Sequence, residues 1–269
     1  MKQAIASVLL ELTSILGEFR ENMVIVGGLV PYLLFSNPVD PHVGTVDIDV
    51  ALNHREIRSD SYRTIKRLLL EKDYQEGSQP FIFTRTVEIQ GRKITVEIDF
   101  LAGEYEGRER RRRHQHIQDL KARKARGCDL AFSDYEVLTI RGKHPGGGKD
   151  SAVVKVASIV PFIVMKANAL DDRMKEKDAY DIYYSVKYYS EDINILSGKF
   201  KKYLGNRLVT EALDIIKSKF ASVDGIGPVQ VADFEDIVDQ DDRDLLMRDV
   251  YERIQLLLEL IENEDDDQQ

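Results

Sequence analysis

A chain of 269 residues with 43% hydrophobic side chains can build one large core or two modest ones. Its single cysteine, Cys128, excludes an internal disulfide and a cysteine-based zinc site, and no apolar run nears the roughly 20 residues that span a bilayer. The formal charge of -9 argues against a protein that coats nucleic acid broadly. With an opening helix-like pattern containing Glu11 and Glu18 rather than a signal sequence, the expectation is a cytoplasmic setting and no membrane.

Taken in order, residues 3–20 carry Ile5, Val8, Leu9, Leu12, Ile15 and Leu16 at helical period. A short strand over 23–26 runs into Gly27 and Gly28, then into an apolar helix over 29–35 with Pro31 in its first turn, where a missing amide proton costs little. Asn37-Pro38 and Asp40-Pro41 end it. Residues 45–52 alternate as a half-buried strand, 59–72 have helical spacing, and 81–89 and 93–101 read as strands joined at Gln90-Gly91 by a tight hairpin.

Residues 104–127 are polar and basic, a pattern that fits a solvated helix or a mobile loop. From Arg108 to Arg126 nine Lys or Arg face only Glu109 and Asp119, a local charge of +7. Two strands, 135–140 and 152–156, are expected around a flexible glycine-rich segment at 142–148. Gly148-Lys149-Asp150 is not a P-loop, because Lys143 stands at the first glycine position and Asp150 where Ser or Thr is needed. From Ser158, an expected N-cap, the pattern is helical over 159–173, 178–189, 206–220 and 239–262, interrupted at 225–228. The expectation is therefore an α/β chain: a mixed sheet domain over 1–157 with a basic insertion near 104–127, a helical domain over 158–262, and an acidic, disordered tail over 263–269.

Three features point to chemistry. Amides left unpaired at the turn of Gly27 and Gly28 suit an anion, phosphate above all. Asp47 and Asp49 are two apart on a strand, so both project from one face while Val46, Ile48 and Val50 project from the other. Asp99 sits in a second strand whose Val96, Ile98 and Phe100 place the acid opposite the core. Any strand with one wet face alternates in this way. The order of the three features is what favours a site, because converging carboxylates repel unless a cation neutralises them. Two Mg²⁺ ions about 3.5 to 4 Å apart would suit phosphoryl displacement. His114 and His116, two apart with no further ligands, are assigned no metal.

Gly27-Gly28, Asp47-Ile48-Asp49 and Asp99, in that order, resemble the signature of the DNA polymerase beta nucleotidyltransferase superfamily. Lys166-Ala167-Asn168-Ala169-Leu170, Arg173 and Lys177-Asp178-Ala179-Tyr180-Asp181-Ile182-Tyr183 resemble the later motifs of the AbiEii nucleotidyltransferase toxin family. The resemblance spans residue 24 to about 187. It departs at Gly28, where many members have serine, so a serine contact to phosphate is absent.

The resemblance implies a nucleotidyltransferase fold with Asp47 and Asp49 holding two Mg²⁺ ions and Asp99 completing the one nearest the acceptor hydroxyl. Lys166 would neutralise triphosphate, and Asp178 and Asp181 would line the cleft. Gly27, Gly28, Thr45, Lys166 and Arg173 would bind the nucleotide. The implied reaction moves a nucleoside monophosphate from an NTP to an acceptor hydroxyl with release of pyrophosphate. RNA, a tRNA 3′ end, is the favoured acceptor, in a toxin with a possible antitoxin partner. A protein or small-molecule hydroxyl, or a silent binding module, would retain the same fold. Arg110, Arg111, Arg112 and Arg113 are candidate RNA-backbone contacts, against the alternative of a solvated run. For Lys166 the alternative is an exposed helix charge; Asp178 could cap its helix, and Asp181 could favour the helix dipole.

Overall fold

The computed structural model describes residues 2–35, 40–57, 64–103, 114–189 and 192–263. The chain divides into two compact units, Met1–Leu33 with Val43–Ser158 and Leu34–His42 with Ile159–Gln269.

The first unit opens with α1 (Lys2–Ile15), whose Ile5, Val8, Leu9 and Leu12 are buried. A 3-10 turn over Gly17–Asn22 leads into β1 (Met23–Val26), α2 (Leu29–Leu34), β2 (Asp47–Leu52) and α3 (Ile65–Leu70). The helix expected over 59–72 is thus seen only from Ile65, behind the Thr64 side chain, which accepts from the Arg67 amide; residues 58–63 lie outside the described residues. Then come β3 (Gln75–Glu76), β4 (Ile82–Ile89), β5 (Arg92–Ala102), β6 (His114–Ile117) and β7 (Leu120–Lys124). A 3-10 turn over Cys128–Phe132 precedes β8 (Tyr135–Lys143) and β9 (Lys149–Ala157).

These strands form one mixed sheet in the order β3-β4-β5-β2-β1-β9-β8. Neighbours β1 and β2 are antiparallel, whereas β2 runs parallel to β5 and β1 parallel to β9. β4 pairs with β5 as far as Asp99, and β7 then takes up the end of β5 at Leu101 and Ala102. Helix α1 packs on β8, β9 and β4. Gln90 (φ 53°) and Gly91 (φ 74°) make the tight turn expected between β4 and β5.

Two expectations for this unit are corrected. Residues 114–124 form neither helix nor loop but the β6–β7 hairpin, turning at Gln118-Asp119 with Gln118 at φ 56°. Leu120 and Ala122 are buried while Lys121 is exposed, a two-residue period that joins the hairpin to the sheet. The segment 142–148 is not a flexible spacer: the strands extend to Lys143 and Lys149, and the turn is closed by the His144 amide on the Gly148 carbonyl at 2.8 Å.

The second unit is helical: α4 (Ile159–Arg173), α5 (Glu176–Tyr188), α6 (Ile193–Lys201), α7 (Arg207–Lys219), α8 (Ile226–Phe234) and α9 (Gln240–Glu262). Helix α5 packs against α4, α8 and α9. Phe162, Tyr184, Phe200 and Phe220 are fully buried. The expected interruption at 225–228 is the start of α8, with Gly225 as N-cap and Pro228 in the first turn, where its missing amide leaves no bond unmade. Ser158 does precede α4, but its buried hydroxyl has no hydrogen-bond partner, so it does not act as a side-chain cap. The segment Leu34–His42 belongs to this unit: the Tyr184 hydroxyl donates to the Asp40 carbonyl at 2.8 Å, and the Phe35 and Tyr184 rings stack at 5.9 Å.

Candidate functional site

The carboxylates of the sheet are brought together by strand register. Parallel pairing of β2 with β5 sets Asp47 beside Glu97 and Asp49 beside Asp99, while Ile48 and Val50, fully buried, pair with Ile98 and Phe100 on the core side. Adjacent strands lie about 4.8 Å apart, so four acids share one face of the sheet. Glu97 joins Asp47, Asp49 and Asp99 through a signal present in the sequence: it is two residues before Asp99. Val46 does not continue the core face; the strand begins at Asp47, and Val46 is 45% exposed.

Gly27 turns at φ 69°, and a Cβ there would sit 1.8 Å from Asp49 Oδ2. The Asp49 carboxylate therefore rests against the bare Gly27 backbone, at the start of the turn into α2. That helix has six residues, so the turn's own amides, more than any helix dipole, are what the Gly27-Gly28 pair offers an anion. Thr45 Oγ1 accepts from the Asp47 amide at 3.2 Å and so shapes the entry to β2.

Asp99 is the most perturbed of these acids. It is 9% exposed, and its pKa is pushed up to about 7 by burial and by the nearby Asp49 and Glu97 charges, against the pull of Arg123. Arg123 donates to a single oxygen, Oδ2, from Nη2 at 2.8 Å and Nε at 3.2 Å. The other oxygen, Oδ1, is buried and has no hydrogen-bond partner. Glu97 is also pushed up, by burial first and then by Asp47 and Asp49. Cys128 is fully buried with its thiol pushed up by that burial, which leaves it unsuited to be a nucleophile.

The donor set is all carboxylate oxygen, the chemistry Mg²⁺ prefers. A raised pKa, a buried oxygen without a partner and like charges in register are what a cation would relieve. Among the described residues no three His, Cys, Asp or Glu side chains are already drawn together as a metal-holding group. By residue type and shared face, the acids are ones a divalent ion could use.

The helical unit holds a second ionic group, in which Lys166 and Arg173 come from α4 and Asp178 and Asp181 from α5. Lys166 Nζ lies 3.0 Å from Asp178 Oδ1 and 2.6 Å from Asp181 Oδ2, the latter an ion pair by distance but off the angle of a hydrogen bond. Arg173 forks onto Asp178 from Nε at 2.7 Å and Nη2 at 2.8 Å. His42 Nε2 lies 2.9 Å from Asp181 Oδ1, its ring stacked with Tyr180 at 5.5 Å.

Both aspartates are 0% exposed and Lys166 is 7% exposed, so Lys166 is not a surface helix charge. Nor does Asp178 cap α5, whose N-cap is Lys175. Burial pushes Asp178 and Asp181 up, but their partners outweigh it and hold both below the usual carboxylate range: Arg173 and Lys166 for Asp178, Lys166 and the His42 hydrogen bond for Asp181. Burial likewise lowers Lys166, and Asp181 and Asp178 more than restore it, leaving its pKa raised. His42 was not legible as a member of this group, since it lies 139 residues from Asp181 in the chain. In the sequence Arg123 is one charge of a basic run.

Arg110, Arg111, Arg112 and Arg113 lie outside the described residues, as do residues 264–269 of the acidic tail. No curated protein and no solved structure matches the chain. The family model described as "Nucleotidyl transferase AbiEii toxin, Type IV TA system" matches residues 12–260, and the chain belongs to that family.

Proposed function

We propose that the protein is a Mg²⁺-dependent nucleotidyltransferase of the nucleotidyltransferase fold, which moves a nucleoside monophosphate from an NTP to an acceptor hydroxyl and releases pyrophosphate. The observation that carries this reading is the register of β2 on β5, which sets Asp47 and Asp49 beside Glu97 and Asp99 on one face, next to the Gly27 turn. Family membership supports nucleotidyltransferase activity in general.

On this reading Asp47 and Asp49 hold the metal, one ion or two, and Asp99 completes the ligand set on the acceptor side. Bound there, Mg²⁺ would supply neutralisation of phosphate charge and acidification of the acceptor hydroxyl. The Gly27 and Gly28 amides would meet phosphate oxygens at the turn beside Asp49. Asp99 would hold that ion beside the acceptor hydroxyl, whose proton the ion makes easier to lose. Lys166 and Arg173 carry positive charge for the triphosphate, and Asp178 and Asp181 hold those two cations in place; the Arg173 side chain, 42% exposed, is the more open of them.

The proposed acceptor is RNA, a tRNA 3′ end, with an antitoxin protein as partner, in keeping with the family's description as a toxin. Incubation with each α-labelled NTP, Mg²⁺ and total tRNA, beside protein and aminoglycoside acceptors, tests both parts. Label on RNA that vanishes with Asp47→Ala and with Asp49→Ala supports the reading. Label on protein or aminoglycoside alone overturns the acceptor, and label on nothing overturns the enzyme.

A further inference from the structure

Arg123 belongs to the basic run, yet it neither faces solvent alone nor offers a free track for phosphate. It stands on β7 beside the end of β5, over the Phe81 ring at 6.0 Å to the centroid. Its two bonds to Asp99 converge on Oδ2, although a guanidinium and a carboxylate can pair through two parallel bonds, one to each oxygen. What remains is a buried carboxylate oxygen, Oδ1, without a partner. A buried polar atom left bare is uncommon and costly. An ion pair serving stability alone would be better made as a fork, as Arg173 makes with Asp178 in the same chain.

We infer that Arg123 is a positioning residue for the carboxylate site: it clamps Asp99 through Oδ2 so that Oδ1 is kept free for a divalent cation. This rests on the proposed metal-dependent reading. Carboxylates that bind metals are themselves held by hydrogen bonds, and loss of such a support costs about 10- to 100-fold in metal affinity. The lever is local, because Arg123 touches the ligand and the ring beneath it and its side chain is only 37% exposed.

The test is a double-mutant cycle read by Mn²⁺ binding, without nucleotide, using electron paramagnetic resonance on the full chain. Arg123→Gln is expected to weaken Mn²⁺ binding at least about tenfold. Arg123→Lys, which keeps the charge but not two donors on one oxygen, should recover part of the loss. In an Asp99→Asn background Arg123→Gln should have no further effect, since the group it acts through is gone. Melting curves identify a variant that does not fold, and Arg123→Lys then carries the same cycle.

Mn²⁺ affinity unchanged within twofold by Arg123→Gln, or raised by it, overturns the inference, as does an equal loss in the Asp99→Asn background. If Mn²⁺ binds the wild type but binding is indifferent to Asp47→Asn, the metal-site reading itself has failed. If binding depends on Asp47 but not on Arg123, only this inference has.

Discussion

At Gly27 the backbone adopts φ 69° and the Asp49 carboxylate occupies the space a Cβ would need, with Oδ2 1.8 Å from that point. Either fact alone would favour glycine; together they make the position intolerant of any side chain. Gly27→Ala is expected to cost about 1 to 3 kcal/mol and to push Asp49 off the shared face, so that its loss of nucleotide transfer exceeds its loss of stability. Denaturant melts run beside transfer rates would check this, and a variant with wild-type transfer would contradict it.

Asp99 gives a pH signature whose sign is fixed by its raised pKa. Below about pH 4 the carboxyl is protonated in folded and unfolded chains alike. Between about 4 and 7 the unfolded chain ionises it while the folded chain does not, so its penalty grows with pH and is complete above about 7. Asp99→Asn should therefore stabilise the protein increasingly from pH 5 to pH 8, on the order of a few kcal/mol at the upper end. A difference in urea midpoint that stays constant over that range would contradict this. Mg²⁺ should shrink the difference by stabilising the ionised wild type.

At the scale of elements, the helix pair α4–α5 is tied by a lysine between two fully buried aspartates. Removing the cation leaves Asp178 to Arg173 and Asp181 to His42, and breaking a buried pair costs about 3 to 5 kcal/mol. Lys166→Met, which keeps the aliphatic stem, is expected to lose stability in that range, measured by urea unfolding, whether or not nucleotide is bound. A loss below about 1 kcal/mol, the range of surface ion pairs, would show the cluster to be less tightly coupled than its geometry indicates.

Elements with a clear period were legible in the chain. Helix α4, the β4–β5 hairpin and β2 follow from spacing and from Gln90-Gly91, because local sterics and one buried face decide them. The β6–β7 hairpin was hidden because its inward positions are few, Ile117, Leu120 and Ala122, among charged neighbours, and because it turns at Gln118 rather than glycine. Helix α8 was hidden by glycines that serve packing: a Cβ on Gly227 would meet the Phe220 ring at 2.4 Å. The acids Asp47, Asp49 and Asp99 could be read singly. That Asp49 lies beside Asp99 depends on which strands pair, and nothing local to either strand encodes it.

For the whole molecule, the sheet unit sets four acids in register on one face, whereas the helical unit buries Asp178 and Asp181 beside Lys166 and Arg173. That contrast separates two sets of carboxylates that look alike in the sequence. Among the described residues no helix is long and apolar enough to cross a membrane. The family match spans both units, from residue 12 to 260, so the helical cluster belongs to the family's shared extent as much as the sheet acids do.

The most direct measurement is single-turnover transfer of α-labelled NTP to RNA by the wild type and by the double variant Asp47→Asn/Asp49→Asn, each confirmed folded by its melting curve. The carboxylate site requires Mg²⁺-dependent transfer by the wild type and a loss of at least about 10³-fold in the variant, the several kcal/mol that such metal sites supply. Transfer by the folded variant at the wild-type rate would contradict it.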